Sequence, residues 1–205
     1  MLRQLLQRRR SLVSNLKTTE SKTECTQQSL LEGAVIAYPT EGVWGLGCAP
    51  ESSSAVERLL QLKQRPKEPG LILVAADIQQ FEPYLIGITP EQRQKLEQRW
   101  PGPVTFLVPE TEFCPHYIKG HHATVALRVS AHPIVRDLCR LKGGPLVSTS
   151  ANLRGQPPAM SQAEVTAIFG DQLDFVIPGE LGGQVGPSEI VDLESGRVVR
   201  PGQGA

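Results

Sequence analysis

The feature that most constrains the fold is an alternation of short apolar runs with capped amphipathic segments, which begins near residue 33. Short apolar runs bounded by turn residues are typical of buried strands, and they occur at 34–38, 71–75, 104–108, 124–129, 146–148, 190–193 and 198–200. Between the last two, Ser195-Gly196 indicates a hairpin. Strands that alternate with helices predict a single α/β domain with a twisted, mixed sheet and flanking helices.

Helix start signals separate these runs. Ser54 and Glu57 form one capping box, and Ser161 and Glu164 form a second. Pro133 begins another helix, which the Gly143-Gly144 pair ends. The predicted helices cover 54–63, 89–99 and 133–141, and a further one begins at 161.

Composition excludes several classes of protein. The 205 residues carry 21 Lys+Arg and 21 Asp+Glu, and 40% are hydrophobic, which excludes intrinsic disorder and a nucleic-acid binder that is basic all over. No apolar run reaches the roughly 18 to 20 residues of a membrane-spanning helix. The four cysteines form no C-x-x-C pair, so neither a thiolate zinc site nor a disulfide framework is expected. The apolar surroundings of Cys48 and Cys139 predict reduced core thiols and favour the cytoplasm.

The first 25 residues differ from the remainder of the chain. They carry six Lys or Arg against two Glu, and no Gly or Pro. The arginine-rich start, 1–16, has the composition of a mitochondrial transit peptide, which is the minor alternative for location. The favoured interpretation is a basic extension over 1–25, flexible or helical, in front of a catalytic domain over 26–205.

Two cations stand at the end of the first predicted helix. Lys63 continues the i, i+3, i+4, i+7 apolar line of that helix, and Arg65 follows two residues later. A lysine in this position commonly extends its ammonium to water at a helix end. The alternative is a pair of cations directed into a cleft that binds phosphate or carboxylate.

Other polar residues interrupt apolar strands. Arg128 alternates with apolar residues in the strand 124–129, so it either reaches water at a sheet edge or meets an anion. Ser148, Ser150 and Asn152 share one side of an extended segment, which is either a polar turn or a phosphate-binding strand end.

Glycines and histidines give weaker signals. Gly42, Gly45 and Gly47 do not match the dinucleotide fingerprint and are interpreted as turn glycines that permit close packing, with Thr40 directed toward whatever they line. His121-His122 has no third convergent ligand and is interpreted as part of a loop, so no metal ligand is assigned.

Five motifs in order resemble the YrdC/TsaC family of threonylcarbamoyl-AMP synthases, in its short single-domain form. The resemblance spans about residues 30 to 202. The motifs are Tyr38-Pro39-Thr40-Glu41 with Gly45-Leu46-Gly47, Lys63-Gln64-Arg65-Pro66, Ser148-Thr149-Ser150-Ala151-Asn152, Pro187-Ser188-Glu189-Ile190-Val191-Asp192 and Arg200-Pro201-Gly202.

The resemblance implies an enzyme that converts L-threonine, bicarbonate or CO₂, and ATP into threonylcarbamoyl-AMP and pyrophosphate, for modification of tRNA by a partner transferase complex. It implies a concave, positively charged cleft, and Mg²⁺ that arrives with ATP and has no assigned protein ligand. The implied catalytic residues are Lys63 and Arg65. The implied ATP contacts are Lys63, Arg65, Thr124, Ser150, Asn152 and Arg200. The implied threonine contacts are Thr40, Arg128, Ser148 and Ser188.

Two departures and one alternative accompany the resemblance. Many relatives have a second Thr where this chain has Gly42, and a His within the segment matching 69–75, so threonine is expected to be held differently here. The alternative function is an RNA-binding or ribosome-maturation module that uses the same basic concave face on tRNA or double-stranded RNA.

Overall fold

A nine-stranded mixed sheet organises the part of the chain that the structure describes, namely residues 27–65, 70–109 and 112–202 of a computed structural model. The strands are β1 (Ile36–Pro39), β2 (Trp44–Cys48), β3 (Ile72–Ala75), β4 (Val104–Pro109), β5 (Thr124–Val129), β6 (Leu146–Ser150), β7 (Phe175–Val176), β8 (Glu189–Asp192) and β9 (Val198–Arg200). Their order across the sheet is β7-β1-β2-β6-β3-β5-β4-β8-β9. Parallel pairs (β3 with β5, β4 with β8) lie beside antiparallel pairs (β3 with β6, β4 with β5), which confirms the predicted mixed sheet.

Helices lie on both faces of the sheet. They are α1 (27–31), α2 (Ser53–Leu62), α3 (Pro90–Arg99), α4 (His116–Lys119), α5 (Pro133–Lys142) and α6 (Gln162–Phe169), with 3₁₀ helices at Ile78–Tyr84 and Gly170–Gln172. The larger apolar cluster joins α2, α3 and α6 to one face of the sheet. The smaller cluster joins α5 to β1 and to alternate residues of β3 and β6 on the opposite face. Since α5 covers only part of that second face, the neighbouring residues of β3, β5 and β6 line an open cleft.

The sequence predicted the bounds of most helices and strands to within one or two residues. Where a predicted helix start is wrong, the cause is a local hydrogen bond. The N-cap of α2 is Ser52, not Ser54, because the Ser52 hydroxyl accepts from the amide of Ala55. The helix predicted from residue 89 begins with a capping box between Thr89 and Gln92. In the box predicted at Ser161, Glu164 instead accepts from the amide of Met160 and not from that of the N-cap Ser161. The hairpin of β8 and β9 is confirmed.

The principal omission is β2. Its Gly45 and Gly47 were interpreted as turn glycines, yet both lie inside a strand paired with β1 and β6. A Cβ on Gly47 would lie 2.5 Å from the carbonyl oxygen of Val147 and 2.7 Å from the hydroxyl of Tyr38. The predicted role in close packing is therefore correct, although the assigned local structure is wrong.

The predicted state of the core cysteines is confirmed. Cys48 and Cys139 are buried and free, and burial raises the pKa of each thiol to about 12. Both therefore stay as uncharged thiols at neutral pH. Across the described residues, no helix has the length and apolar content needed to cross a membrane. The predicted basic extension over 1–25 lies outside the described residues.

Candidate active site

Most of the predicted site residues surround one open cleft with a volume of about 290 Å³. Its lining comes from β2, β3, β4, β5, β6, β8 and β9 and from the segments that precede β2, β3, β5 and β8. Eight of the ten predicted residues line it: Thr40, Arg65, Thr124, Arg128, Ser148, Ser150, Ser188 and Arg200. The other two, Lys63 and Asn152, lie directly behind Ser150, to which both are hydrogen-bonded.

Strand register sets the spacing of the cleft floor. Ile72 of β3 is paired with Ala126 of β5 on one side and with Ser148 of β6 on the other, so the three form a row across the sheet. Thr124 and Arg128 face the cleft from opposite ends of β5. Four residues of strand at roughly 3.3 Å each separate them by about 13 Å. The cleft therefore has two polar ends joined by a short apolar floor.

At the first end, Lys63 is buried, with 4% of its surface exposed. Its ammonium donates to the backbone oxygen of Ser150, to the backbone oxygen of Asn152 at 2.9 Å and to Asn152 Oδ1 at 3.0 Å. The alternative of an ammonium that extends to water is therefore wrong. Burial, and secondarily the charge of Arg65, lower the pKa of Lys63 to about 8, which leaves it charged at pH 7.

Arg65 occupies this same end but faces the opening of the cleft. It follows the end of α2, lines the cleft and is half-buried. Burial lowers the pKa of its guanidinium, because removal from water disfavours the charged form. No hydrogen bond or ion pair joins its side chain to another described residue. Its donors are thus directed to whatever fills the cleft.

At the second end, Arg128 is buried in a strand that lies between two others. The alternative of an arginine exposed at a sheet edge is therefore wrong. Its anionic neighbour is Glu41, whose Oε2 lies 3.4 Å from the Arg128 guanidinium. Burial alone raises the pKa of the Glu41 carboxyl, but Arg128 and the hydrogen bonds from Ser130 and Ala131 together hold it below its usual range.

Arg200 and Ser188 also belong to this second end. The Arg200 guanidinium donates to the backbone oxygen of Ser188 at 2.7 Å. The Ser188 hydroxyl lies 2.9 Å from that of Thr105 on β4. Burial, and secondarily the charge of Arg128, lower the pKa of Arg200. Two guanidiniums therefore lie close together beside one buried carboxylate, which is a setting that attracts an additional anion.

Gly42 allows a loop to lie against the Thr40–Gly42 turn. The loop amides of Gly182 and Gln184 donate to the carbonyl oxygens of Thr40 and Glu41, at 3.0 and 2.9 Å. A Cβ on Gly42 would lie 2.1 Å from the carbonyl oxygen of Gly186. Loop backbone therefore fills the space that a side chain at position 42 would occupy.

The sequence did not single out several residues that line the cleft. They are Lys119, Gln184 and Gly186, and His122 also lines it, although the sequence assigned it no role in the site. His122 was interpreted as part of a loop, and it does lie in the loop before β5, but its ring also faces the cleft 3.1 Å from the position of a Cβ on Gly70. An imidazole thus lies beside the chain at Gly70, directly before β3. Only the chain path between α4 and β5 brings it there, and sequence spacing does not reveal that path.

The described residues contain no cluster of three or more His, Cys, Asp or Glu side chains suited to a metal ion.

Known proteins share both the sequence and the fold of this chain. The sequence profile of the Sua5/YciO/YrdC family, described as telomere recombination, matches residues 28–202. This chain belongs to that family. A threonylcarbamoyl-AMP synthase from Cellvibrio japonicus (strain Ueda107) is 55% identical over 170 residues, which cover 83% of this chain and 90% of the relative.

Solved structures of the Sua5/YciO/YrdC family confirm the predicted fold class. The crystal structure of P. abyssi Sua5 complexed with L-threonine has a TM-score of 0.80 and 32% identity over 88% of this chain. The match covers 55% of the longer Sua5 chain. E. coli YciO has a TM-score of 0.76 and 28% identity, with 90% of this chain and 92% of YciO covered. The single α/β domain with a mixed sheet is thus a shared architecture.

Proposed function

We propose that this chain is an L-threonylcarbamoyladenylate synthase, which acts on L-threonine, bicarbonate or CO₂, and ATP. The observation that carries the proposal is one cleft lined by cations and hydroxyls from distant parts of the chain, in a protein 55% identical to a threonylcarbamoyl-AMP synthase. The solved Sua5 relative in complex with L-threonine supports the choice of amino acid.

The reaction requires orientation and charge neutralisation, and no protein nucleophile. The threonine amine adds to CO₂ and releases a proton, which gives a carbamate. A carbamate oxygen then attacks the α-phosphorus of ATP, and the bond to pyrophosphate breaks. From bicarbonate, the balance is threonine, bicarbonate and ATP to threonylcarbamoyl-AMP, pyrophosphate and water. Fixed positions and fixed charges supply such catalysis.

The second end of the cleft suits the amino acid. Arg128 offers a buried guanidinium to the threonine carboxylate, while Thr40, Ser148 and Ser188 surround the same space. Glu41 offsets part of the Arg128 charge, so the buried guanidinium has a counter-charge within the protein itself.

The first end suits the triphosphate. Arg65 faces the opening, and Ser150 lies beside it with Lys63 and Asn152 behind. We assign Thr124 and Arg200 to contacts with the nucleotide, with Arg200 close to the amino-acid end. Mg²⁺ bound to the phosphates would offset the charge of departing pyrophosphate. The resulting cationic cleft is part of the proposal.

The activity can be tested by incubating the purified protein with L-threonine, bicarbonate, Mg²⁺ and ATP, and by measuring pyrophosphate. We expect release that depends on both threonine and bicarbonate and that stops when EDTA removes Mg²⁺. D-threonine serves as the matched control for the amino acid. Pyrophosphate release that is indifferent to threonine would contradict the proposal.

The product is reactive, so we propose a threonylcarbamoyl transferase complex that passes the group to tRNA, in the cytoplasm. The RNA-binding alternative is not favoured, because the relative is named a synthase. A mitochondrial location is not supported by relatives from bacteria such as Cellvibrio japonicus.

Replacing Gly42 by alanine is expected to raise the KM for threonine about tenfold, a cost of ~1.4 kcal/mol, with little change in the KM for ATP. The new Cβ would lie 2.1 Å from a backbone oxygen, so the loop that carries Ser188 must move away from the turn. Steady-state pyrophosphate release measures both constants. Gly144→Ala is the control, since the nearest atom to its new Cβ is the Lys142 ammonium at 3.4 Å. Equal threonine KM values for the two variants would show that the loop contact is dispensable.

A further inference from the structure

The loop between β7 and β8 brings one polar side chain to the amino-acid end of the cleft without using it inside the protein. Gln184 of this loop lines the cleft and is half-buried. Within the part of the chain that the structure describes, no residue is hydrogen-bonded to its side-chain carboxamide. The carboxamide therefore keeps both of its donor hydrogens and its acceptor oxygen for a ligand.

The backbone of this loop is anchored next to Arg128. The backbone amide of Gln184 donates to the carbonyl oxygen of Glu41 at 2.9 Å, and the Glu41 carboxylate contacts Arg128. Earlier in the loop, the carbonyl oxygen of Glu180 lies 3.0 Å from Nε2 of the buried His132. Gln184 is therefore held beside the guanidinium that is assigned to the threonine carboxylate, and its carboxamide is positioned before the substrate binds.

Hydroxyl groups at this end are used in part within the protein. Thr40 Oγ1 donates to a backbone oxygen of its own turn at 2.6 Å. The Ser188 hydroxyl is paired with that of the buried Thr105 at 2.9 Å. Ser148 lies in the row across the middle of the cleft floor, and so nearer to the phosphate end than the buried guanidinium is. Of these polar groups, the Gln184 carboxamide is the one at the amino-acid end with no internal partner.

L-Threonine has three polar groups to place in this space. Its carboxylate is assigned to Arg128. Its nitrogen must lie along the cleft toward the α-phosphorus, because the carbamate formed on that nitrogen attacks there. The hydroxyl is left for the walls of the amino-acid end. A hydroxyl both donates and accepts, and a carboxamide offers both roles without adding a charge beside two guanidiniums and a carboxylate.

We propose that Gln184 is a specificity-determining residue, whose carboxamide contacts the side-chain hydroxyl of L-threonine. The inference rests on the proposed function and deepens it, because it names the contact that separates threonine from amino acids of the same shape. L-Valine has a methyl group in place of the hydroxyl, so its binding leaves the carboxamide without a partner. A site that hydrogen-bonds a hydroxyl rejects the analogue that lacks it more strongly than an apolar pocket rejects a missing methyl group.

Removal of each partner in turn tests the contact. Gln184→Met keeps the length of the side chain and the backbone anchor, but it lacks the carboxamide. In the pyrophosphate assay, we expect its KM for L-threonine to rise about tenfold, the scale of one lost hydrogen bond, with the KM for ATP unchanged. The inhibition constant of L-valine, measured as a competitor of threonine, should stay the same or fall. An equal rise for threonine and valine would overturn the proposal, because the effect would then be independent of the hydroxyl.

Two further variants complete the comparison. Gln94→Met is the matched control, because Gln94 is exposed on α3, which packs on the face of the sheet opposite the cleft. We expect both of its constants to equal those of the wild type. Ser148→Ala tests the competing hydroxyl. If Ser148→Ala loses the preference for threonine over valine and Gln184→Met keeps it, the assignment to Gln184 is wrong.

The KM for bicarbonate distinguishes the hydroxyl from the carbamate as the group that the carboxamide contacts. We expect no change in this constant in Gln184→Met, and a tenfold rise would contradict the proposal. If Gln184→Met does not fold, Gln184→Ala provides the same comparison. Failure of the proposed function is distinct, since the wild-type protein would then release no threonine-dependent pyrophosphate.

Discussion

Replacing Arg65 by alanine is expected to lower kcat/KM for ATP about 100-fold, a loss of ~2.7 kcal/mol of transition-state stabilisation. The guanidinium faces the cleft, is half-buried and has no partner among the described residues. Charge that grows on departing pyrophosphate would be offset by a cation in a partly water-excluded site, where electrostatic interactions are stronger than in bulk water. Steady-state kinetics of pyrophosphate release at varied ATP measures the effect.

Arg58→Ala is the matched control for this variant. Arg58 lies on α2, and its guanidinium contacts Asp174 and the backbone of Gln172, away from the cleft. We expect its kcat/KM to remain within about twofold of wild type, because an exposed ion pair contributes little. Similar losses in the two variants would show that position in the cleft is irrelevant.

Replacing Arg128 by glutamine is expected to raise the KM for threonine about 100-fold and to leave the KM for ATP nearly unchanged. The carboxylate of the amino acid would lose a buried, charge-assisted partner, which costs about 2 to 3 kcal/mol. The substitution also leaves the buried Glu41 carboxylate without its cation, so the free energy of unfolding should fall by about 3 kcal/mol. Kinetics at varied threonine and urea unfolding measure the two effects.

The stability effect has a definite pH dependence. In the wild type, Arg128 helps to hold the pKa of Glu41 below its usual value of 4.5, so the pair contributes stability above that value and loses it as the pH falls through the lowered pKa. The difference between wild type and Arg128→Gln should therefore shrink as the pH falls below 4.5 and through the lowered pKa of Glu41.

The double variant Arg128→Gln/Glu41→Gln separates the two roles of Arg128. We expect it to regain stability at pH 7 without regaining threonine affinity. Recovery of threonine affinity would mean that Arg128 acts only through Glu41.

The sequence predicted those parts of the site that depend on local pattern. Alternation along 124–129 placed Thr124 and Arg128 on one face of a strand, and the structure places both on the cleft. The helical spacing of Lys63 left two alternatives, an ammonium in water or a cation directed into a cleft. The structure excludes the first, and neither alternative indicated the hydrogen bonds of the ammonium to Ser150 and Asn152. These inferences depend only on residues that are close in sequence.

Features that depend on contacts between distant segments were not predicted. Glu41 meets Ser130, 89 residues away, and nothing in its own motif indicates that partner. Position 42 has no room for a side chain, because the backbone oxygen of Gly186, in another loop, lies against it. Strand β2 was missed because glycines at alternate positions hide its pattern, although Trp44, Leu46 and Cys48 do alternate on its other face.

The family motifs and the structure give different information about the candidate site. The motifs named Lys63, Ser150 and Asn152 together with Arg65 as one set around the phosphates. In the structure, Lys63, Ser150 and Asn152 are hydrogen-bonded to one another, and Arg65 and Ser150 line the cleft. A sequence motif identifies which residues belong to a site, whereas hydrogen-bond geometry indicates what each can still bind.

The central claim is that one cleft holds a triphosphate at Arg65 and Ser150 and an amino acid at Arg128. A crystal structure with a non-hydrolysable ATP analogue and L-threonine tests it most directly. We predict phosphate oxygens within hydrogen-bond distance of the Arg65 guanidinium, and the threonine carboxylate paired with Arg128 in the same cleft. Either ligand bound elsewhere, with the cleft empty, would contradict the account.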